Sequence, residues 1–241
     1  MTGNSRSAAW GVLGLGVMGR NLALQAATKG DRILAWDPDE GARRKAKAEG
    51  RWLEAFGVAV SLADWKKSLP HPARILLMVP AGDAVDRALG DLAPWFRRGD
   101  VVADGGNSHY LDTERRATSL EARGVGYLGL GVSGGEEGAR HGAAFMAGGS
   151  ARAWKAFEPL LLPLAARGPA GPCLVRVGPG GAGHFVKMVH NGIEYADLEI
   201  LAESFALLKS FGYSTLRIAG LMEHWNRGPL ESFLTGLSAK V

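Results

Sequence analysis

The chain has 241 residues, 46% of them apolar and 22% charged, with a net charge of +4. That composition fits a soluble globular protein with one large domain, or one domain and part of another, and the lone Cys173 rules out an intrachain disulfide. No apolar stretch is long enough to span a membrane, the polar start MTGNSRSAA has no signal-peptide core, and no basic run interleaves aromatics, so a cytoplasmic protein without membrane or nucleic-acid partners is expected.

In chain order, Ala8–Leu13 reads as a short apolar strand followed by Gly14-Leu15-Gly16-Val17-Met18-Gly19. A helical pattern then covers Arg20–Lys29, and Arg32–Trp36 reads as a second strand ending at Asp37. A GxGxxG run between a strand and a helix is the dinucleotide-binding arrangement. Gly14 makes the tight turn, Gly16 lets a pyrophosphate reach the backbone, and Gly19 lets helix and strand pack. Val17 and Met18, between the glycines, are expected to bind the cofactor, and the helix N-terminus faces the phosphates. Asp37 is placed to accept hydrogen bonds from the adenosine ribose and to repel a 2′-phosphate, which favours NAD. Arg43 and Arg44 lie nearby on a short basic helix face, so NADP stays open.

Val58–Lys67 fits a small strand and helix. Strands are then expected at Arg74–Val79, Asp100–Asp104 and Gly126–Leu130, with helices over Ala84–Phe96 and Leu111–Arg123. Ala143–Ala147 and Leu174–Val177 read as later strands around a helix over Arg152–Ala165. The alternation predicts a Rossmann-like α/β domain, a mostly parallel sheet with helices on both faces. Ligands bind beyond the carboxyl ends of such strands, where Val79 and Asn107 fall.

From Ala182 to Phe211 the pattern is helical, with shorter helices expected at Thr215–Glu223 and Pro229–Leu237. The division predicted is a dinucleotide-binding domain over 1–180, then a long helix and the start of an all-α domain over 181–241. Lys187, His190, Asn191 and Glu194 occupy i, i+3, i+4 and i+7 of the long helix. That spacing puts an amine, an imidazole, a carboxamide and a carboxylate on one stripe. A solvated helix face would carry such a pattern too. The preceding glycines and the upstream dinucleotide signature favour proton chemistry instead.

The segments GLGVMGRNLAL (14–24), DGGNSHYLDTERR (104–116), GVSGGEEGARHG (131–142), GAGHFVKMVHNGIEY (181–195) and, more loosely, HWNRGPLESFL (224–234) resemble the 6-phosphogluconate dehydrogenases. The resemblance runs from about residue 8 to the C-terminus, and the related 3-hydroxyisobutyrate-type enzymes share only shorter pieces. It implies oxidative decarboxylation of 6-phosphogluconate to ribulose 5-phosphate and carbon dioxide, with NAD or NADP reduced, in the pentose phosphate pathway. Lys187 matches the catalytic lysine that takes the C3 hydroxyl proton, and Glu194 the acid that protonates C1 of the enediol. Asn107 matches a residue between nicotinamide and substrate. Ser133, Gly134 and Gly135 match the loop holding the substrate carboxylate and hydroxyls. His190 and Asn191 match substrate contacts, and Tyr195 a phosphate contact. No metal is required, because a protonated lysine can polarise the ketone.

Two departures stand out. NADP-using members often carry Asn-Arg-Thr where this chain has Asp37-Pro38-Asp39, which strengthens the NAD reading. Family members also continue into a large helical domain that builds the dimer and supplies a phosphate clamp; Val241 precedes most of it. Exposed apolar residues such as Leu201, Phe205 and Leu208 are therefore expected to drive self-association, as a homodimer or otherwise. A β-hydroxyacid dehydrogenase and a non-catalytic dinucleotide-binding module remain as alternatives.

Overall fold

The computed structural model describes residues 10–240; Ala8 and Ala9, expected in the first strand, lie outside them. β1 (Trp10–Leu13), α1 (Val17–Thr28) and β2 (Ile33–Trp36) form the opening unit, followed by α2 (Glu40–Glu49), β3 (Phe56–Val58) and α3 (Leu62–Ser68). β4 (Arg74–Leu77), α4 (Asp83–Leu92), β5 (Val101–Asp104), α5 (Tyr110–Glu121) and β6 (Gly126–Ser133) come next. Then follow α6 (Gly135–His141), β7 (Ala144–Gly149), α7 (Ala151–Leu161) and a 3-10 turn (Leu162–Leu164). A hairpin of β8 (Arg167–Gly168) and β9 (Gly171–Pro172) precedes β10 (Leu174–Gly178), α8 (Ala182–Ser210), α9 (Thr215–Trp225) and α10 (Phe233–Ser238).

The main sheet has eight strands in the order β10-β7-β6-β5-β4-β1-β2-β3. Every neighbouring pair in it is parallel except β6 with β7. The chain runs outward from β1 to β2 and β3, then crosses back to β4, so the order reverses beside β1. A crevice opens at such a switch point, outside the strand ends. Central strands are buried on both faces and therefore read as unbroken apolar runs. Alternate residues feed two cores: Val12, Leu76 and Ala103 pack with α1 and α7, whereas Leu13, Leu77 and Val102 pack with α3, α4 and α5.

Several boundaries differ from the sequence reading. α4 stops at Leu92, short of Phe96, because Pro94 has no N–H to extend the ladder. α7 stops at Leu161, and Pro163 lies in the tighter 3-10 turn that follows. Gly135, expected with Ser133 and Gly134 in a loop, instead begins α6, a helix the sequence reading did not assign. Glu136 and Glu137 sit in its first turn and Arg140 and His141 in its last, in the sense the helix dipole favours.

The chain divides into two compact units, one through Met188 and one from Val189. The second holds the remainder of α8 with α9 and α10. Ser214 and Ser232 cap α9 and α10, each hydroxyl accepting from the backbone N–H three residues on. Ile193, Ile200 and Leu207 of α8 are exposed, as are Phe211 just beyond it, Leu216 and Phe233. Leu201 and Leu208 are only partly exposed, with Phe205 at 37%. Among the described residues no helix is long and apolar enough to cross a membrane.

Candidate active site

Gly14, Gly16, Val17, Met18, Gly19, Asp37, Val79 and Asn107 line one cleft of about 810 Å³ in the first unit. It lies over the carboxyl ends of β1, β2, β4 and β5. The strand ends are held level: Gly14 N–H donates to Trp36 O, Met78 N–H to Leu13 O, and Gly105 N–H to Leu77 O.

The three motif glycines are required for different reasons. Gly14 has φ +102°, and a side chain there would collide with the Met78 carbonyl. A Cβ on Gly19 would strike the Gly14 carbonyl where α1 meets the turn. Gly16 has an ordinary φ of −57°, and a Cβ there would meet no protein atom within 4 Å. Nothing in the protein demands a glycine at that position, so the space beside it is suited to a ligand.

The first turn of α1 completes the cradle. Serine, aspartate or histidine side chains cap α2, α3, α5 and α7, but the N-cap of α1 is Gly16, without a side-chain cap. Its leading N–H groups and the dipole behind them face the cleft, where an anion is stabilised. Across the cleft, Asp37 fixes the turn. Its Oδ2 accepts from Leu15 N–H at 2.6 Å and its Oδ1 from Asp39 N–H at 2.8 Å. Arg43 Nη1 donates to the carbonyls of Asp37 (2.7 Å) and Pro38 (3.0 Å), while Arg44 pairs with Glu40 in solvent.

Behind Asn107, a polar network supports the loop after β5. Asp104 is fully buried; its Oδ1 accepts from Gly106 N–H at 3.0 Å. Its Oδ2 accepts from Ser108 Oγ at 2.6 Å and from the Tyr127 hydroxyl at 3.0 Å. Burial pushes the Tyr127 phenol well above its usual pKa, so it remains a donor. Arg116, 3% exposed, forks onto Asp86 at 3.0 and 2.8 Å, and Arg115 also bonds Asp86. The hydrogen bond from Arg116 is the largest influence holding the Asp86 carboxyl well below its ordinary range. Burial opposes the Arg116 charge, but Asp86 and its other neighbours outweigh that and raise its pKa.

The sign for stability follows. A depressed carboxylate pKa contributes stability above the ordinary value of 3.8, and that contribution is lost as pH falls towards the folded-state value. The carboxylate is 38% exposed, so water screens it and about 1 kcal/mol is expected. Asp86→Asn should therefore destabilise the protein at pH 7, with the gap from wild type narrowing below about pH 4. Urea unfolding at both pH values checks this, and a pH-independent gap would contradict it.

α8 begins on a bed of glycines. Side chains added at Gly129, Gly131, Gly148 or Gly183 would meet the facing element at 3.0 Å or less. Gly131 lies against the Lys187 side chain, which is 8% exposed. His184 is buried, with Nδ1 2.6 Å from Thr113 Oγ1. Burial lowers its pKa and keeps the ring neutral. Ser133 ends β6, and Gly134 and Gly135 follow with φ of +128° and +58° at the start of α6. In the second unit, His190 Nδ1 is 3.6 Å from Glu194 Oε2 and 3.4 Å from Asn191 Oδ1. Tyr195 is 73% exposed.

Residues 9–178 match the NAD binding domain of 6-phosphogluconate dehydrogenase, and 183–241 match the C-terminal domain of the same enzyme. The chain belongs to the 6-phosphogluconate dehydrogenase family. The decarboxylating 6-phosphogluconate dehydrogenase of Bacillus licheniformis is 44% identical over 96% of this chain and 50% of its own length. The NAD(+)-dependent decarboxylating enzyme of Bacillus subtilis (strain 168) is 44% identical over 96% of this chain and 49% of its own. The 6-phosphogluconate dehydrogenase of Plasmodium falciparum, solved with its cofactor NADP+ and with 6-phosphogluconate, superposes with a TM-score of 0.89. It is 34% identical and covers 97% of this chain against 50% of its own. The chain thus spans about half the length of the 6-phosphogluconate dehydrogenases it matches, and residues 9–178 are the family's NAD(P)-binding domain.

Arg116 and Asp104 received no role from the sequence. Thr113, Arg116, Ala117 and Leu120 make up the buried face of α5. An arginine at 3.6-residue spacing within such a face signals a buried partner, and that signal was available.

Proposed function

We propose that this chain carries the cofactor cleft and proton-transfer residues of a 6-phosphogluconate dehydrogenase, which oxidises and decarboxylates 6-phosphogluconate to ribulose 5-phosphate. The observation that carries the cofactor half is Gly16: an open position, without strain or neighbours, at an uncapped helix N-terminus opposite Asp37. The dinucleotide supplies hydride acceptance when bound, with its diphosphate on the α1 turn and its adenosine ribose at Asp37.

The remaining chemistry falls to side chains. Lys187, buried against β6, accepts the proton of the substrate C3 hydroxyl. Reprotonated, it stabilises the ketone oxygen while carbon dioxide departs. Glu194 returns a proton to C1. Ser133, Gly134 and Gly135 hold the substrate carboxylate and hydroxyls, Asn107 lies between substrate and nicotinamide, and His190, Asn191 and Tyr195 complete its binding. NAD is favoured over NADP because Asp37 presents negative charge at the ribose and Pro38 offers no cation. Arg43 is already engaged by two backbone carbonyls. We also propose that the chain self-associates through the exposed apolar face of its second unit.

Gly16→Val tests the cofactor reading. The variant should fold with the wild-type melting temperature and bind reduced dinucleotide about 100-fold more weakly, because the new side chain fills only ligand space. Equal binding by both proteins would overturn the assignment. Following reduced nicotinamide with 6-phosphogluconate, with NAD and NADP offered separately, then tests turnover and preference; faster turnover with NADP would reverse the NAD assignment.

A further inference from the structure

Two loops close the cleft on the side away from Asp37. One, after β4, carries Val79 to Gly82; the other, after β5, carries Gly105 to Ser108. Both sit across the switch point from β2, so a dinucleotide with its adenosine at Asp37 meets them with its nicotinamide half. A single buried side chain from α5 touches both. Arg116 Nη2 donates to the Gly82 carbonyl at 3.0 Å and to Asp86 just beyond it. Arg116 Nη1 donates to Ser108 Oγ at 3.3 Å and lies 3.9 Å from Asp104 Oδ2. Asp104 in turn holds Gly106 N–H and Ser108 Oγ, the residues on either side of Asn107.

We propose that Arg116 is a positioning residue that ties the Val79 loop to the Asn107 loop and so sets the width of the nicotinamide end of the cleft. This rests on the dinucleotide reading above. The geometry of the guanidinium is what suits the task. Its Nε and Nη2 form a planar fork on Asp86, which leaves Nη1 aimed at the second loop at a fixed angle. A lysine in its place has one point charge and cannot satisfy both loops at once. Asn107 has no side-chain hydrogen bond among the described residues, so its placement depends on the backbone beneath it, and that backbone depends on Asp104 and Arg116.

The inference predicts a loss confined to one half of the ligand. Arg116→Lys should weaken binding of reduced dinucleotide roughly tenfold while leaving ADP binding within about twofold of wild type, since ADP reaches only the glycine turn and Asp37. Titration of each protein with the reduced dinucleotide and with ADP, beside a thermal melt, reads this out. Ser108→Ala removes one tether from the Asn107 loop alone, and should show the same pattern at smaller amplitude should the lysine variant not fold. Unchanged dinucleotide binding in the variants, or equal losses for ADP and dinucleotide, would overturn the clamp. A wild-type chain that binds neither ligand would overturn the dinucleotide reading, and the clamp with it.

Discussion

Replacing Lys187 with methionine is expected to reduce turnover of 6-phosphogluconate by a factor of about 10²–10⁴ while leaving dinucleotide binding unchanged. The side chain is 8% exposed and lies against Gly131, so a methionine of similar length fills the same space. What the variant lacks is a group that can take up a proton and return it. Both proposed roles of the amine, base and electrophile, act on the substrate rather than on the cofactor. Reduced-dinucleotide titration should therefore match wild type, whereas reduced-nicotinamide formation should vanish into the background. Turnover within tenfold of wild type would remove Lys187 from the chemistry and return the helix stripe to an ordinary packing role.

The second large effect concerns stability. Gly183→Ala should cost about 3 kcal/mol, since overpacking at a rigid contact has no cheap relief. The added methyl would fall on the Gly129 carbonyl and within 2.5 Å of Gly148 N and Met146 O. All three are backbone atoms of paired strands, and they cannot rotate aside. For a chain of this size the corresponding drop in melting temperature is roughly 6–12 °C. Gly192→Ala in the same helix is the control. An added Cβ there meets nothing within 4 Å, and replacing a helix-interior glycine should stabilise by about 0.5–1 kcal/mol. Equal melting temperatures for the two variants would show that the close contact is softer than its geometry implies.

Much of this arrangement was legible in the sequence. The βαβ opening, the strands that lead into the Val79 and Asn107 loops, and the long helix each carry a local signal. Glycine spacing, apolar runs and helical periodicity are properties of neighbours along the chain. The eight residues expected to hold a cofactor line one cleft because the parallel register brings those strand ends to the same edge. Other features were not local. The antiparallel pairing of β7 with β6 cannot be read from Ala143–Ala147, since an apolar run is the same in either direction. α6 went unassigned, since seven residues with glycines at 135 and 138 carry too little helical periodicity to mark it. Arg116 was visible as a residue but not as a clamp, because Gly82 and Ser108 lie 34 and 8 positions away. Distances of that kind exist only once the sheet has formed.

The glycine bed under α8 also bears on the chemistry proposed for Lys187. Ordinary helix–sheet contacts are made by side chains, which change rotamer and let a helix slide or tilt within a small range. At Gly183, backbone rests directly on backbone, and a shift of one residue in either direction would bring Ala182 or His184 into the place only a hydrogen fits. The first turns of α8 therefore have one seat, taken when the chain folds. Lys187 inherits that seat, and in the role proposed for it the entropy of placing its backbone is lost during folding rather than drawn from the binding energy of each substrate molecule.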